Sequence, residues 1–388
     1  MSEKKIKNDI SKLKPWNSKE NPVKVNSIRY NQDYTLLTLG TSKGYKVFFT
    51  EDLKLCQEES EEIKNLGDIN IAMAYYKSSL VFFLPNKDNQ IFTNKEIIIY
   101  DDFYQSKISS FKVKNEEILN FFISKNSLYI ITVRKIIVIE LFSFKVIEII
   151  EGINSSNKLI SFNFFDFLGY TELDNKKNIH IINFQNENYK IVSKTRLLIT
   201  TPYDFIQIIQ LSQSGLYIGA VAIYGNKMHI YYTKTGKLKE CIFLGPNIQT
   251  MEKMTFSKKE NYIFFQKKDS KFMIYKLEKN SNNNPKCICD KYDDKKLLSL
   301  SENNNGNKSG GVFSFMRRPS RMKDVKEIHA FGDYEGKLLF VDFDKTINTN
   351  KNTNKDLIFI NHNGELIKYH FNKKKSGNIS PVVSIQWI

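Results

Sequence analysis

Few side chains in this sequence are suited to covalent or metal chemistry, and those few are scattered. The 388 residues hold four cysteines (Cys56, Cys241, Cys287, Cys289) and five histidines (His180, His229, His329, His362, His370). Cys287 and Cys289 make a C-x-C pair, but no second Cys or His pair stands at the spacing of a tetrahedral metal site. No Gly-rich loop of the Walker or Rossmann type appears, and no Ser, His and Asp share a motif context. The expectation is therefore a protein with no catalytic residues, no metal and no cofactor. Four thiols are too few to staple a chain of this length, so they are read as reduced, which predicts a protein facing the cytosol.

The cationic side chains offer a different chemistry. Lys267, Lys268 and Lys271 lie close together, and Arg317, Arg318 and Arg321 follow Val312, Phe313, Phe315 and Met316. Apolar and aromatic side chains beside basic ones suit insertion at an anionic lipid surface. Two readings stand for 312–321: a membrane wedge, or a strand rejoining a sheet. The three lysines are either point charges for phosphate or ordinary turn lysines. Basic side chains outnumber acidic ones 58 to 42, a net +16, which favours an anionic partner. They are spread along exposed strand positions, however, as they would be on any solvated surface. Tyr and Phe recur at strand spacing, as core packing requires, so nucleic acid is not expected to stack on them.

The elements that must position these residues follow a repeat. Val25–Thr50 reads VNSIRYNQDYTLLTLGTSKGYKVFFT, three apolar-alternating runs divided by polar turns, and the same order returns at Gln207–Gly236 and Glu252–Glu278. Period-2 runs of this length, rich in Ile, Tyr, Phe and Val, are strands. About four short strands every ~40–50 residues signal a β-propeller blade. The prediction is all-β: a seven-bladed β-propeller over 25–388, preceded by a basic extension over 1–24. Blades are expected at 25–58, 70–113, 118–150, 159–193 (the weakest), 206–243, 251–277 and 338–387. An Asn/Ser/Gly-rich insertion over 279–325 predicts a long disordered loop in blade six. A hydrophobic share of 41% supplies a core, while no apolar run approaches ~18 residues, so membrane association would be peripheral.

The first-blade residues Ser27-Ile-Arg-Tyr-Asn-Gln-Asp33, with Leu39-Gly-Thr-Ser-Lys-Gly-Tyr45 and Cys56, carry a resemblance. So do Thr235-Gly-Lys-Leu238 leading into Phe256-Ser257, and Ile328-His-Ala-Phe-Gly332 with Asn363-Gly364 and Tyr369. Together they resemble the PROPPINs, phosphoinositide-binding seven-bladed propellers of autophagy and endosomal trafficking. The resemblance implies a monomeric, non-catalytic scaffold in the cytoplasm, peripheral on endosomal or autophagy-related membranes. Its implied partners are a phosphoinositide-containing membrane and an autophagy-related protein such as a lipid-transfer protein, docked near blades two and three.

The family's Phe-Arg-Arg-Gly motif places two arginines on two head-group pockets, where a planar guanidinium fork grips phosphate. Counting back from Phe256-Ser257 aligns that motif with Ile242-Phe243-Leu244-Gly245. Both arginines are missing. The Ser and Thr expected on the first pocket fall on Ala222 and Asn226; the Thr and His expected on the second fall on Lys271 and Met273. Asn226, Lys267, Lys268 and Lys271 remain as candidate phosphate contacts. Losing a charge-assisted pair worth roughly 1.5–3 kcal/mol from each pocket should weaken head-group binding. The resemblance also implies that the 312–321 segment stands in the place of a membrane-inserting loop. The alternative is a purely protein-binding cytosolic propeller that touches no lipid.

Overall fold

Hydrogen bonding assembles short strands into small antiparallel sheets in strict chain order. The computed structural model describes residues 23–50, 55–56, 66–187, 190–244, 250–268 and 272–277, and five later strands between 326 and 386. The first sheet is β1 (Val25–Tyr30), β2 (Leu36–Thr41) and β3 (Gly44–Phe49). The second is β4 (Ile69–Ala74), β5 (Leu80–Pro85), β6 (Glu96–Asp101) and β7 (Ser106–Lys112). The third is β8 (Ile118–Ile123), β9 (Ser127–Thr132), β10 (Lys135–Glu140) and β11 (Val146–Glu151). The fourth is β12 (Ile160–Phe162), β13 (Phe167–Thr171), β14 (Asn178–Glu187) and β15 (Lys190–Thr200). The fifth is β16 (Ile206–Leu211), β17 (Tyr217–Ala222), β18 (Lys227–Tyr232) and β19 (Leu238–Phe243). The sixth is β20 (Met251–Phe256), β21 (Tyr262–Lys267), β22 (Phe272–Lys276) and β23 (Lys326–Ile328). The last is β24 (Leu338–Phe343), β25 (Asp356–Asn361), β26 (Glu365–His370) and β27 (Ser380–Gln386).

The expectation of a seven-bladed propeller is thereby corrected. Six of these sheets are four-stranded blades; the first is a three-stranded sheet. Beyond β3, Phe48 bridges to Leu55, and the residues on either side of that bridge, 51–54 and 57–65, lie outside the described residues. Two further differences concern strand content. The sheet read as weakest carries the longest hairpin, with ten residues in β14 and eleven in β15. The sixth sheet draws its fourth strand from beyond the insertion, because β23 pairs with β22. The extension 1–24 (save Val23 and Lys24) and the insertion 279–325 lie outside the described residues.

The first six sheets are each held to the next by apolar packing. One apolar cluster joins the first sheet to the second, through Leu36, Tyr45 and Val47 on one side and Ile69, Phe83 and Ile98 on the other. Others join second to third, third to fourth, fourth to fifth, and fifth to sixth. Middle strands therefore bury both faces: every residue of β2, β9 and β13 is buried. The outer strand β7 (SKISSFK) is exposed over most of its length and correspondingly polar. At ~25 cal/mol per Å2, these successive apolar contacts are the main term holding the sheets in order. The approach is close at two middle-strand glycines, where a side chain would press on the tip of its neighbour. A Cβ on Gly169 would sit 2.9 Å from Ile218 Cδ1, and one on Gly219 would sit 3.2 Å from Met254 Cε.

Two local devices recur and set the register. The turn after the first strand is capped by its opening side chain. Asn31 Oδ1 accepts from the Leu36 amide at 2.9 Å, and Asn163 Oδ1 from Phe167 at 3.0 Å. Ser212 Oγ accepts from Tyr217 at 3.0 Å, and Ser257 Oγ from Tyr262 at 3.1 Å. Asx- and ST-type caps of this kind tie a turn to its own backbone. The second device is a register shift near the start of the first strand, between Val25 and Ser27, Ile69 and Ile71, Ile118 and Asn120, Ile206 and Ile208, Met251 and Lys253, and Leu338 and Phe340. A bulge there bends the strand and re-aims the side chains that follow.

Candidate functional site

Three places gather side chains with functional potential: the junction of the fifth and sixth sheets, the outer rim of the second and third, and a cavity lined by first strands.

At the junction, β19 ends on Ile242 and Phe243 and the chain turns at Leu244 toward β20. Ile242 and Leu244 are buried in the cluster that also holds Met228, Ile230, Met251, Met254 and Phe265. The Leu244 amide donates to the Asn226 carbonyl at 2.7 Å, which pins it in place. Phe243 is half-buried and pairs in register with Lys227. Hydrocarbon therefore fills the place where the resemblance implies guanidinium. Of the candidate phosphate contacts, Asn226 is buried, Lys267 half-buried and Lys268 exposed. Gly245 and Lys271 lie outside the described residues, as do Val312, Phe313, Phe315, Met316, Arg317, Arg318 and Arg321. The sequence reading missed Lys227, a buried lysine opposite Phe243; its signal was position, one residue after Asn226.

The histidines at matching third-strand positions differ in their surroundings. His229 stacks on Tyr203 at 4.8 Å, with Nδ1 3.0 Å from Tyr231 Oη and Nε2 3.1 Å from Cys241 Sγ. His180 stacks on Tyr170 at 4.9 Å, with Nε2 2.7 Å from Glu172 Oε1. Among the described residues, no group of three or more His, Cys, Asp and Glu could hold a metal ion. Nor is any helix among them long and apolar enough to cross a membrane.

The rim of the second and third sheets presents apolar side chains to solvent. Phe103 and Tyr104, in the turn from β6 to β7, are 77% and 74% exposed; Phe142, in the turn from β10 to β11, is 73% exposed. Phe144 in that second turn packs against Phe111 of β7 at 5.4 Å, linking the two sheets. Ile108, Val146 and Ile149 are exposed on the outer strands β7 and β11. Beneath Phe103, Asp102 is buried and accepts a 2.7 Å hydrogen bond from Tyr45 Oη. Burial is the main cause that raises its carboxyl to about 6, with the neighbouring Asp101 charge acting the same way and the Tyr45 hydrogen bond opposing. Burial, and then the charge of Asp102, push the Tyr45 hydroxyl far above its usual range.

The cavity encloses about 520 Å3 and is lined from β1, β8, β12, β16 and β20, with their following turns. Arg29 Nη2 donates to Asn120 Oδ1 at 2.9 Å, and Asn120 Nδ2 donates to Asn157 Oδ1 at 2.9 Å. Lys253 lines the same space, and among the described residues no Asp or Glu does. Burial lowers the Arg29 pKa. On one side Phe122 stacks on Phe162 and on Phe164, each at 5.0 Å. Sequence reading passed over Arg29 because it stood inside the first-blade pattern; the available signal was one Arg in an otherwise inward-facing strand.

No family model matches the chain. Its fold is similar to solved structures along nearly the whole length. Kluyveromyces lactis Hsv2 shares 12% identity at a TM-score of 0.68, covering 94% of this chain and 99% of that one. Hsv2 of Kluyveromyces marxianus shares 14% identity at 0.66, with the same coverage. KlAtg21, solved in complex with the coiled-coil of AgAtg16, shares 12% identity at 0.59 and covers 94% of this chain and 100% of that one. Hsv2 and Atg21 are both PROPPINs, so the structural neighbours are of the kind the first-blade residues resemble. At these identities the likeness establishes the fold.

Proposed function

We propose that this chain is a divergent, non-catalytic propeller scaffold of the PROPPIN type, acting peripherally at cytosolic membrane surfaces in autophagy-related or endosomal trafficking. One observation carries the reading: the fold of Hsv2 and Atg21 extends over 94% of a chain whose first sheet holds the SIRYNQD and GTSKGY segments. The exposed Phe103, Tyr104 and Phe142 supply an apolar surface for a protein partner at the second and third sheets, where the resemblance implies one. That a structural neighbour was solved with a coiled-coil supports an autophagy protein as the partner. Head-group binding is weakened, because Ile242 and Leu244 pack into the core where phosphate would need donors. Lipid contact then falls to the 312–321 segment and to surface charge.

The test is co-sedimentation with liposomes, phosphoinositide-containing and otherwise anionic, at two salt concentrations, for the wild type and the Phe313→Ser, Phe315→Ser double variant. Salt-sensitive binding to every anionic membrane, reduced in the double variant, is the expected result. Tight capture selective for one head group would overturn the weakened-site reading. Absence of all lipid binding would leave the second reading, a purely protein-binding propeller, which the apolar seal at Leu244 also favours.

A further inference from the structure

The fifth sheet brings a thiol, an imidazole and a phenol together on one face. His229 of β18 and Cys241 of the outer strand β19 are cross-strand partners, so their side chains leave the sheet on the same side. Tyr231 follows His229 by two residues and shares that side. His229 Nε2 stands 3.1 Å from Cys241 Sγ, and Nδ1 stands 3.0 Å from Tyr231 Oη. The imidazole thus bridges a nucleophile on one nitrogen and an orienting hydroxyl on the other, the order that activates a thiol. Its ring plane is held as well. Tyr203, from the segment before β16, stacks on it with centroids 4.8 Å apart and planes at 24°. His229, Tyr203 and Tyr231 are all buried, whereas Cys241 is half-buried. The base is shielded, while the cysteine on the outer strand keeps a share of solvent exposure. Exposure and a basic neighbour are what separate reactive cysteines from inert buried ones. Cys56 supplies the contrast: it is half-buried too, but packs against the apolar cluster of the first and second sheets.

We propose that Cys241 is a modification site, where a small hydroperoxide reversibly oxidises the thiol to sulfenic acid. The sulfur proton passes to His229 Nε2, and the imidazolium donates its Nδ1–H to Tyr231 Oη. The thiolate attacks one peroxide oxygen; an S–O bond forms and the O–O bond breaks. The leaving oxygen takes the proton from His229 and departs as an alcohol, or as water when the oxidant is hydrogen peroxide. Sulfur loses two electrons and the peroxide gains them, so the step needs no other oxidant. Two equivalents of a low-molecular-weight thiol reverse it, through a mixed disulfide and with loss of water. The site does not depend on the proposed membrane role.

The experiment treats the reduced full chain with hydrogen peroxide, traps sulfenic acid with dimedone and reads each cysteine by peptide mass spectrometry. At about pH 7, Cys241 is expected to label at least tenfold faster than Cys56. His229→Gln should slow Cys241 by tenfold or more there, and the difference should vanish at about pH 10, where a thiol ionises unaided. Should that variant fail to fold, Tyr231→Phe decides the matter, with a slowing of threefold or more expected. Dithiothreitol added before dimedone should abolish the label. No label on Cys241, equal rates at Cys241 and Cys56, or an unchanged rate in the deciding variant overturns the proposal. So does a slowing in His229→Gln that persists at about pH 10, because it would assign His229 to packing and not to proton transfer.

Discussion

The junction of the fifth and sixth sheets and the cavity between the first strands are opposites in chemistry. At the junction, positions that the resemblance assigns to arginine hold Phe243 and Leu244, and Leu244 is buried among Met251, Met254 and Phe265. In the cavity an arginine stands enclosed, with a carboxamide and no carboxylate beside it among the described residues. One region has exchanged charge for packing; the other keeps charge where packing could have filled the space. The difference teaches that the guanidinium of Arg29 stands among Asn, Gln and Ser side chains, while at the junction Leu244 is sealed in hydrocarbon and the cation kept nearby, Lys227, sits across the strand pair opposite Phe243. Removing water from an ion costs several kcal/mol unless polar groups replace it.

The sharpest way to break this contrast is to put the family's charge back. Leu244→Arg should destabilise the protein by about 3–5 kcal/mol, since it puts a guanidinium among Met251, Met254 and Phe265. A fall of several degrees in melting temperature is expected, without restored head-group selectivity in the liposome assay. An unchanged melting temperature would show that the junction opens easily and would erase the distinction between the two regions.

A smaller effect comes from Asp102, a buried anion that tests the same rule from the other sign. Its carboxyl is raised to about 6 in the folded chain against an ordinary value of 3.8. The folded state therefore holds the proton more tightly, and stability is lost as pH rises from about 4 through 6. Asp102→Asn keeps an acceptor for Tyr45 and removes the charge. It should stabilise the protein by about 1–2 kcal/mol at pH 7.5, allowing for partial solvent screening, and bring little gain at pH 4. Melting curves at both pH values check this, and an equal gain at the two would refute it.

The smallest effect concerns the rim. Phe103→Ser with Tyr104→Ser should change stability by no more than about 0.5 kcal/mol, because both side chains lie mostly in water. The same pair of substitutions should weaken capture of a protein partner. A large stability loss instead would mean that the rim belongs to the core.

Most of the fold was legible because the alternation of apolar residues reports strands directly, and β8, β24 and the fifth sheet fall where the pattern places them. The count of blades was not legible. A whole blade was expected over 25–58, and among the described residues sheet one has three strands. β23 was hidden for another reason: three residues are too short to show a period, and a long insertion separates them from their partner β22. The junction at Ile242–Leu244 could be located from spacing, but its burial could not, since sequence does not say which face of β19 meets β20. Arg29 could be seen and not understood, because its meaning depends on side chains ninety residues away, such as Asn120.

The shift that recurs near the start of the first strands has an evolutionary corollary. Because each kink is absorbed within one strand, residues just beyond it, such as Ser27, Asn120 and Lys253, can be exchanged without dragging the neighbouring sheet along. The inner lining is thus uncoupled from the load that the apolar interfaces bear. A lineage could rewrite what lines this hole while the surrounding frame stays put, and a protein engineer could do the same.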